Sequence, residues 1–545
     1  MIQVTFKIRE LCLHQALDSA AAEWSDRTGW VFEDTYVGFV EMKRQSEAVA
    51  KSLLALGIQP GDVLAVLMPN RIEFALLEFA CSMTGAIITG INTRSKSFEL
   101  EHTLRHSGAR LLFTVSTFLK QDYIATMAEI GVHPIAPDGR VQSDAFPHLE
   151  HIICPSPGQE GTTMSWSDFL ALGEQVTQSK LEMLKAERKW HEPVVLQYTS
   201  GTTAFPKGAL CDHRYVLNCG VETFLKMGVK HGEPLFSTQP FYHIGGSCST
   251  VPLPLSLGGA MVIPEVYDAE RVLQLIERER CVGRTGFGTM YVMEMNLPNF
   301  ESFDLSSLRA GWCISSPELM NQIRERFDMP DLIPLYASTE VGGTVCSKDD
   351  TWEDRSTTCG RPLTGSEMRI TDQQDRVVAD GAKGEIQMRS WWQMSGYHNQ
   401  PDATEKATTA DGWIRTGDLG WIDERGCLHF AGRIKEMMKI GGENVSAEEV
   451  ENILIQLPAV KQVAAFGVAD ERLVEVVAVA VELREGHAAT AEEIIDHCKI
   501  RMANFRVPRH VRFVTEWPMT GSGKIQKRLL KEAFNINPDS HEKTQ

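Results

Sequence analysis

The run Thr199 to Gly208 reads Thr-Ser-Gly-Thr-Thr-Ala-Phe-Pro-Lys-Gly and directly follows an apolar stretch, Val194-Val195-Leu196-Gln197-Tyr198. A short apolar run bounded by Gly, Ser and Thr reads as a buried strand that ends in a turn. Glycine permits positive φ and close approach of the backbone to a ligand. Hydroxyl side chains and backbone N–H groups can then face an anion, and Lys207 adds a positive charge. The residues allow two readings: an ordinary turn, or a loop that wraps a polyphosphate. A Walker loop is excluded, because the Gly-Lys-Ser/Thr ending is missing.

A chain of 545 residues is too long for one hydrophobic core, so two or more domains are expected. Hydrophobic residues make up 43%, which suits a large interior and argues against disorder. The net charge of −18 argues against a general nucleic-acid binder and against adsorption to an anionic membrane. A nucleotide would need a local basic site. Met1 to Leu13 lacks the apolar core of a secretory signal. The most apolar stretch, Phe74 to Ile91, is interrupted by Glu78 and reads as a buried helix, not a membrane span. Twelve scattered cysteines without a Cys-x-x-Cys pair read as reduced thiols in a cytoplasmic protein, with no structural zinc site.

Helical and strand patterns alternate over residues 1 to 190, which predicts an α/β fold with sheets packed between helices. Ser46 to Leu56 and Ile72 to Gly85 have helical spacing, and Asp62 to Met68 reads as a short buried strand. Ser156 to Thr163 reads as a polar surface loop. The last ~110 residues have the size of a separate small domain. There Ser446-Ala447-Glu448-Glu449 has capping-box spacing, and Val450, Ile453, Leu454 and Leu457 share one helical face. Strands over Gln462–Val468, Leu473–Val481 and Val511–Thr515 and a helix over Ala491–Met502 complete an α+β pattern. The tail from Asn535 is polar and reads as disordered.

Six further segments follow in order. Pro240-Phe241-Tyr242-His243-Ile244-Gly245-Gly246 is followed by Tyr336-Ala337-Ser338-Thr339-Glu340. Trp413-Ile414-Arg415-Thr416-Gly417-Asp418-Leu419 lies just ahead of Phe430-Ala431-Gly432-Arg433-Ile434-Lys435. Then come Ile434-Lys435-Glu436-Met437-Met438-Lys439-Ile440-Gly441-Gly442-Glu443 and Pro518-Met519-Thr520-Gly521-Ser522-Gly523-Lys524-Ile525-Gln526-Lys527. Singly, each has an ordinary reading: a structural histidine, a surface glutamate, a Thr-Gly-Asp turn, a solvated lysine-rich segment, a flexible loop. In this order, from about residue 198 to 527, they resemble the adenylate-forming superfamily of acyl-CoA synthetases, adenylation domains and beetle-type luciferases.

The resemblance implies roles residue by residue. Thr199, Ser200, Gly201, Thr202, Thr203 and Lys207 would form the phosphate loop. Ser315 and Ser316 would lie in the adenine-binding turn. Tyr336, Ser338 and Thr339 would contact the nucleotide, and Glu340, with Thr199, would hold Mg²⁺, a cation that favours oxygen ligands. Ala337 stands where the family has glycine. Asp418 and Arg433 would bind ribose, Asp418 because a carboxylate can accept from both vicinal hydroxyls. Lys439 and Asn444 would lie near the adenylate, Gly441 and Gly442 along the pantetheine path, and Lys435 at an interdomain hinge. Lys524 would be the catalytic lysine of adenylation, with Glu340, Thr203 and His243 completing the catalytic set.

His243, Gly245, Gly246, Gly286, Gly288 and Gly342 would border the acyl site. The glycines either open room for a bulky acid or serve turns. His243 stands where amino-acid adenylating relatives carry an aspartate, which implies an acid without an α-amino group. The implied architecture is a large α/β adenylation domain, 1–434, and a small mobile α+β domain, 435–545. The implied activity is an ATP-dependent, AMP-forming acid–CoA ligase. It would use ATP, Mg²⁺ and CoA on a medium-chain, alicyclic or aromatic monocarboxylic acid. A ligase that loads a carrier protein and a non-catalytic nucleotide- or acyl-binding relative are the alternatives, and a homodimer is the ordinary assembly for such a chain.

Overall fold

Parallel strands covered by helices on both faces need continuous apolar runs, and Val63–Leu67 supplies one, with all five residues buried. The computed structural model describes residues 9–134, 136, 138–155, 163–199, 206–440, 443–470, 473–519, 525–536 and 542–543. The chain divides into two compact units, Met1–Met368 with Met388–Ile414, and Arg369–Gln387 with Arg415–Gln545.

The larger unit contains two extended sheets. One runs Gly396–Tyr397, Lys207–Asp212, Pro193–Thr199, Ile87–Gly90, Val63–Leu67, Leu111–Thr114, His151–Cys154 and Met164–Ser165. Its first three strands pair antiparallel and the rest parallel. The other runs Asp331–Ile333, Ala310–Ile314, Gly283–Phe287, Leu235–Phe236, Met261–Ile263, Thr28–Phe32 and Thr35–Gly38. It is parallel except at its last hairpin.

The helix Ile72–Thr84 is buried from Phe74 to Thr84, as expected of a helix that is apolar all round. It ends at Gly85, whose φ of +82° is the left-handed cap that glycine adopts without strain. The apolar stretch to Ile91 is therefore not one helix, because its second half is the strand Ile87–Gly90. Among the described residues, no helix is long and apolar enough to cross a membrane. None of the twelve cysteines, all of them among the described residues, is in a disulfide, and ten are buried.

In the smaller unit the strands Val460–Asp470 and Val474–Leu483 pair antiparallel, and His510–Phe513 adds in parallel. Alternate residues of the first strand enter opposite cores. Val463 and Ala465 pack with Val450, Leu454 and Ile494. Ala464, Phe466 and Val468 pack with Leu530 and Phe534 of the helix Lys527–Ile536. That helix ends at Ile536, and most of the tail beyond it lies outside the described residues. The capping box at Ser446 does not form, since its hydroxyl makes no capping bond. Its Oγ instead lies where a Cβ on Gly432 would come within 2.7 Å. A box does close at Thr490 and Glu493, opening Ala491–Arg501. The expected Ser156–Thr163 loop lies outside the described residues except for Thr163, which is buried.

Candidate functional site

In a parallel sheet the chain turns at the carboxyl ends of the strands, and the loops there gather side chains from distant parts of the sequence. The segment from Ser237 to Gly246 follows Leu235–Phe236. Gly286 and Gly288 stand at the end of Gly283–Phe287, and Ser315 and Ser316 at the end of Ala310–Ile314. These sequence-selected residues therefore share one edge of the seven-stranded sheet. Ser316 also caps the helix Pro317–Arg326, its hydroxyl accepting from the Leu319 N–H. His243 Nδ1 accepts from the Gly245 N–H at 3.2 Å, which assigns the ring proton to Nε2. A Cβ on Gly246 would lie 2.1 Å from the Pro240 oxygen, and one on Gly245 2.6 Å from Gln239 Oε1. At Gly286 and Gly288 it would meet Tyr291 and Ser315. The Pro240 backbone and the Tyr291 ring thus demand glycine at 246 and 286, whereas at 245 and 288 the neighbours are side-chain ends.

Thr199 and Lys207 face each other at the open end of an antiparallel strand pair, and Thr199 Oγ1 donates to the Lys207 carbonyl at 3.4 Å. Ser200, Gly201, Thr202 and Thr203 lie between them, outside the described residues. Histidines flank this end. His102 Nε2 lies 3.2 Å from the Pro206 oxygen, and His106 Nδ1 lies 2.8 Å from the Tyr198 hydroxyl.

Glu340 sits in the three-residue turn between Leu335–Ser338 and Gly342–Val345. Gly342, at φ +75°, supplies the left-handed residue such a turn uses. Ala337 pairs with Gly343 within the strand, where no positive φ is needed, so alanine fits in place of the family's glycine. Ser338 Oγ donates to Glu340 Oε2 at 2.7 Å, and the Tyr397 hydroxyl donates to Oε1 at 2.8 Å. Tyr336 is buried, and Thr339 lies beside Glu340 in the turn, half-buried.

Residues 394–398 bind this turn to the phosphate-loop strand. The Met394 N–H donates to the Glu340 main-chain carbonyl, Ser395 N–H to that of Leu210 and His398 N–H to that of Gly208, each at 2.8 Å. Tyr397 is buried, and Lys207 Nζ lies 4.7 Å from its ring centre. Burial and the Glu340 carboxylate hold the Tyr397 phenol far above its ordinary pKa, so it remains a donor. Tyr397 was not legible as a site residue. Its only signal was a Gly-Tyr pair within a polar stretch.

Magnesium commonly uses one protein carboxylate together with phosphate oxygens and waters. Among the described residues no three His, Cys, Asp or Glu side chains form a metal cage. Glu340 accepts one neutral hydrogen bond at each oxygen, which leaves each a further lone pair. A single carboxylate of this kind fits a magnesium ion carried with polyphosphate.

In the smaller unit Asp418 and Arg433 are register partners across the hairpin Ile414–Ile422/Leu428–Arg433, with Arg433 Nε 3.0 Å from Asp418 Oδ1. A polar cavity of 320 Å³ lies beside Arg433 and is lined also by Glu436, Glu448, Glu451 and Lys527. Lys527 Nζ lies 2.7 Å from Glu451 and 3.5 Å from Glu436. Desolvation opposes the Lys527 charge, but Glu451 and Glu436 outweigh it and raise its pKa. Glu448 keeps solvent contact, yet desolvation, and then the Glu451 charge, push its pKa up to about 7. Lys435 lies in the 3₁₀ turn Ile434–Glu436, and Lys439 pairs with Asn444 in the backbone register. Gly441, Gly442 and Lys524 lie outside the described residues.

Two family patterns match the chain: the AMP-binding enzyme over residues 17–398, and the AMP-binding enzyme C-terminal domain over 449–524. A putative acyl-CoA synthetase, YngI of Bacillus subtilis (strain 168), is 33% identical, over 96% of this chain and 97% of its own. The mitochondrial medium-chain acyl-CoA ligase ACSF2 of Macaca fascicularis is 32% identical, over 95% of this chain and 86% of its own. The crystal structure of the anthranilate CoA ligase AuaEII with anthranoyl-AMP superposes with a TM-score of 0.84 at 26% identity, covering 98% of this chain and 99% of that one. The chain belongs to the AMP-binding enzyme family, and within it to the adenylate-forming acyl-CoA synthetases.

Proposed function

We propose that the protein is an AMP-forming acid–CoA ligase that works through an acyl-adenylate. The observation that carries this reading is the pairing of opposite charges around Tyr397. An ammonium, Lys207, and a carboxylate, Glu340, are held at the open end of the Thr199–Lys207 strand pair. That arrangement suits a polyphosphate and its accompanying cation.

In the first half-reaction a carboxylate oxygen of the acid attacks the α-phosphorus of ATP. The bond from that phosphorus to the pyrophosphate oxygen breaks, and pyrophosphate leaves. Thr199, Lys207 and the hydroxyls of Ser200, Thr202 and Thr203 hold the phosphates, with Tyr336, Ser338 and Thr339 nearby. Ser315 and Ser316 face the adenine, and Asp418 and Arg433 the ribose. Lys524 stabilises the charge that accumulates at phosphorus, a contact whose loss costs roughly 10²–10³ in rate. Bound magnesium would neutralise phosphate charge, with Glu340 and Thr199 as its protein-side oxygen donors.

In the second half-reaction the CoA sulfur attacks the acyl carbon, the bond to AMP oxygen breaks, and the thiol proton passes to solvent. Lys524 is not needed there, and the sulfur needs an open path. We assign this exchange to rotation of the 435–545 domain about Lys435, with Gly441 and Gly442 along the pantetheine path and Lys439 and Asn444 near the adenylate. For the acid, relatives named for medium-chain acids and a structural neighbour named for anthranilate favour a medium-chain, alicyclic or aromatic monocarboxylic acid. His243 in place of an aspartate favours an acid without an α-amino group.

The test is a panel of acids offered with ATP and CoA. AMP and pyrophosphate should form with monocarboxylic acids of this class. ADP and orthophosphate would refute the reading, activity only on amino acids or dicarboxylates would refute the substrate class, and dependence on a phosphopantetheinylated protein would favour the carrier-loading alternative.

A further inference from the structure

Tyr397 is less than a tenth exposed and sits on a two-residue strand that pairs with the strand following the phosphate loop, Tyr397 opposite Ala209. Its backbone N–H is fixed by Thr404 Oγ1 at 2.9 Å. Main-chain bonds on either side, Ser395 to Leu210 and His398 to Gly208, leave the residue little freedom to shift along Lys207–Asp212. From this mounting its hydroxyl reaches Glu340 Oε1 at 2.8 Å, and its ring lies 4.7 Å from Lys207 Nζ. Glu340 projects from a short turn and Lys207 from a strand end, and Tyr397 touches both of their side chains. A carboxylate held by two neutral donors, the Tyr397 and Ser338 hydroxyls, is oriented without being neutralised. An ammonium over an aromatic face is likewise positioned without losing its charge.

We propose that Tyr397 is a positioning residue that sets the spacing between the Glu340 carboxylate and the Lys207 ammonium, and through them seats the cation–triphosphate pair. This inference rests on the ligase reading above. Its two contacts are separable by substitution. Tyr397→Phe removes the hydroxyl and keeps the ring, whereas Tyr397→Leu removes both.

The experiment titrates Mn²⁺ by electron paramagnetic resonance against full-length protein holding α,β-methylene-ATP, an analogue that cannot release pyrophosphate. Binding of the metal-free analogue is measured alongside by calorimetry. Tyr397→Phe should weaken Mn²⁺ binding roughly 10- to 100-fold, the scale expected when an orienting hydrogen bond to a ligating group is lost, and leave metal-free analogue binding within about twofold. Tyr397→Leu should weaken both. In turnover, Tyr397→Phe should raise the half-saturating Mg²⁺ concentration more than it lowers kcat at saturating metal. Glu340→Gln is the control. If it leaves Mn²⁺ binding unchanged, the assignment of Glu340 fails and this inference with it. If Glu340→Gln weakens binding and Tyr397→Phe does not, the positioning role alone is overturned. Should Tyr397→Phe melt well below the parent, Ser338→Ala, which removes the other donor, must weaken Mn²⁺ binding, or the idea that neutral donors orient Glu340 is refuted.

Discussion

Asp418 and Arg433 stand opposite each other in one antiparallel register, the carboxylate buried and the guanidinium nearly half exposed, with Arg433 Nε 3.0 Å from Asp418 Oδ1. A half-exposed ion pair contributes at most about 1 kcal/mol to stability, so the pairing serves orientation more than folding. Asp418→Ala should therefore leave the melting temperature within a few degrees and raise KM for ATP. Hydrogen bonds to a charged group are worth about 1.5–3 kcal/mol, or roughly 10- to 100-fold in affinity. An unchanged KM would remove Asp418 from the ribose site.

The two half-reactions make opposite demands on Lys524. Lys524→Ala should lower acid-dependent pyrophosphate release by roughly 10²–10³, while thioester formation from supplied acyl-adenylate falls only a few-fold. Lys435→Pro should do the reverse, because it locks φ at the proposed pivot. Equal losses in both steps for a folded Lys524 variant would refute its role.

Arg284 and Glu294 form an ion pair with no solvent exposure on either side chain, and the guanidinium lies 4.2 Å from the Tyr291 ring centre. Arg284→Met leaves a buried carboxylate without its cation and should cost about 3–5 kcal/mol, whereas the double change Arg284→Met/Glu294→Leu should recover most of it. Urea midpoints of the three proteins give the comparison. A double variant no better than the single one would mean that the pair holds the site for a reason other than charge balance.

Glu78 is fully buried in the helix Ile72–Thr84, and among the described residues neither carboxylate oxygen has a hydrogen-bond partner. Burial alone raises its pKa well above 4.5. The unfolded chain then releases this proton at lower pH than the folded one, so stability falls as pH rises above about 4.5, by up to about 1.4 kcal/mol per unit until the folded group ionises. Glu78→Gln should flatten this slope, matching the parent near pH 4 and melting higher near pH 8. Parallel melting curves across that range would show that Glu78 is already charged in the folded protein.

Much of the fold was legible because its signals are local. The apolar run at Val63–Leu67, the glycine stop at Gly85 and the strand signal at Gln462–Val468 each act within a few residues. Local reading failed where a neighbour intervened. The stretch from Phe74 to Ile91 reads as one buried helix, but a left-handed glycine divides it into helix and strand. Ser446 has the spacing of a capping box, but its hydroxyl packs against Gly432. The glycines at 245, 246, 286 and 288 carry no label that separates room for a ligand from room for Gln239, Pro240, Tyr291 or Ser315.

By itself, the order of residues determined the layered α/β architecture, the small α+β partner and the family, because periodicity and motif order are properties of a line. The tertiary structure alone decided that Tyr397 joins Glu340 to Lys207, and that Lys527 bridges Glu451 and Glu436. Those contacts join residues 57, 76, 91 and 190 positions apart in the chain, and a hydrogen bond or ion pair depends on distance in space, which the sheet register and helix packing supply.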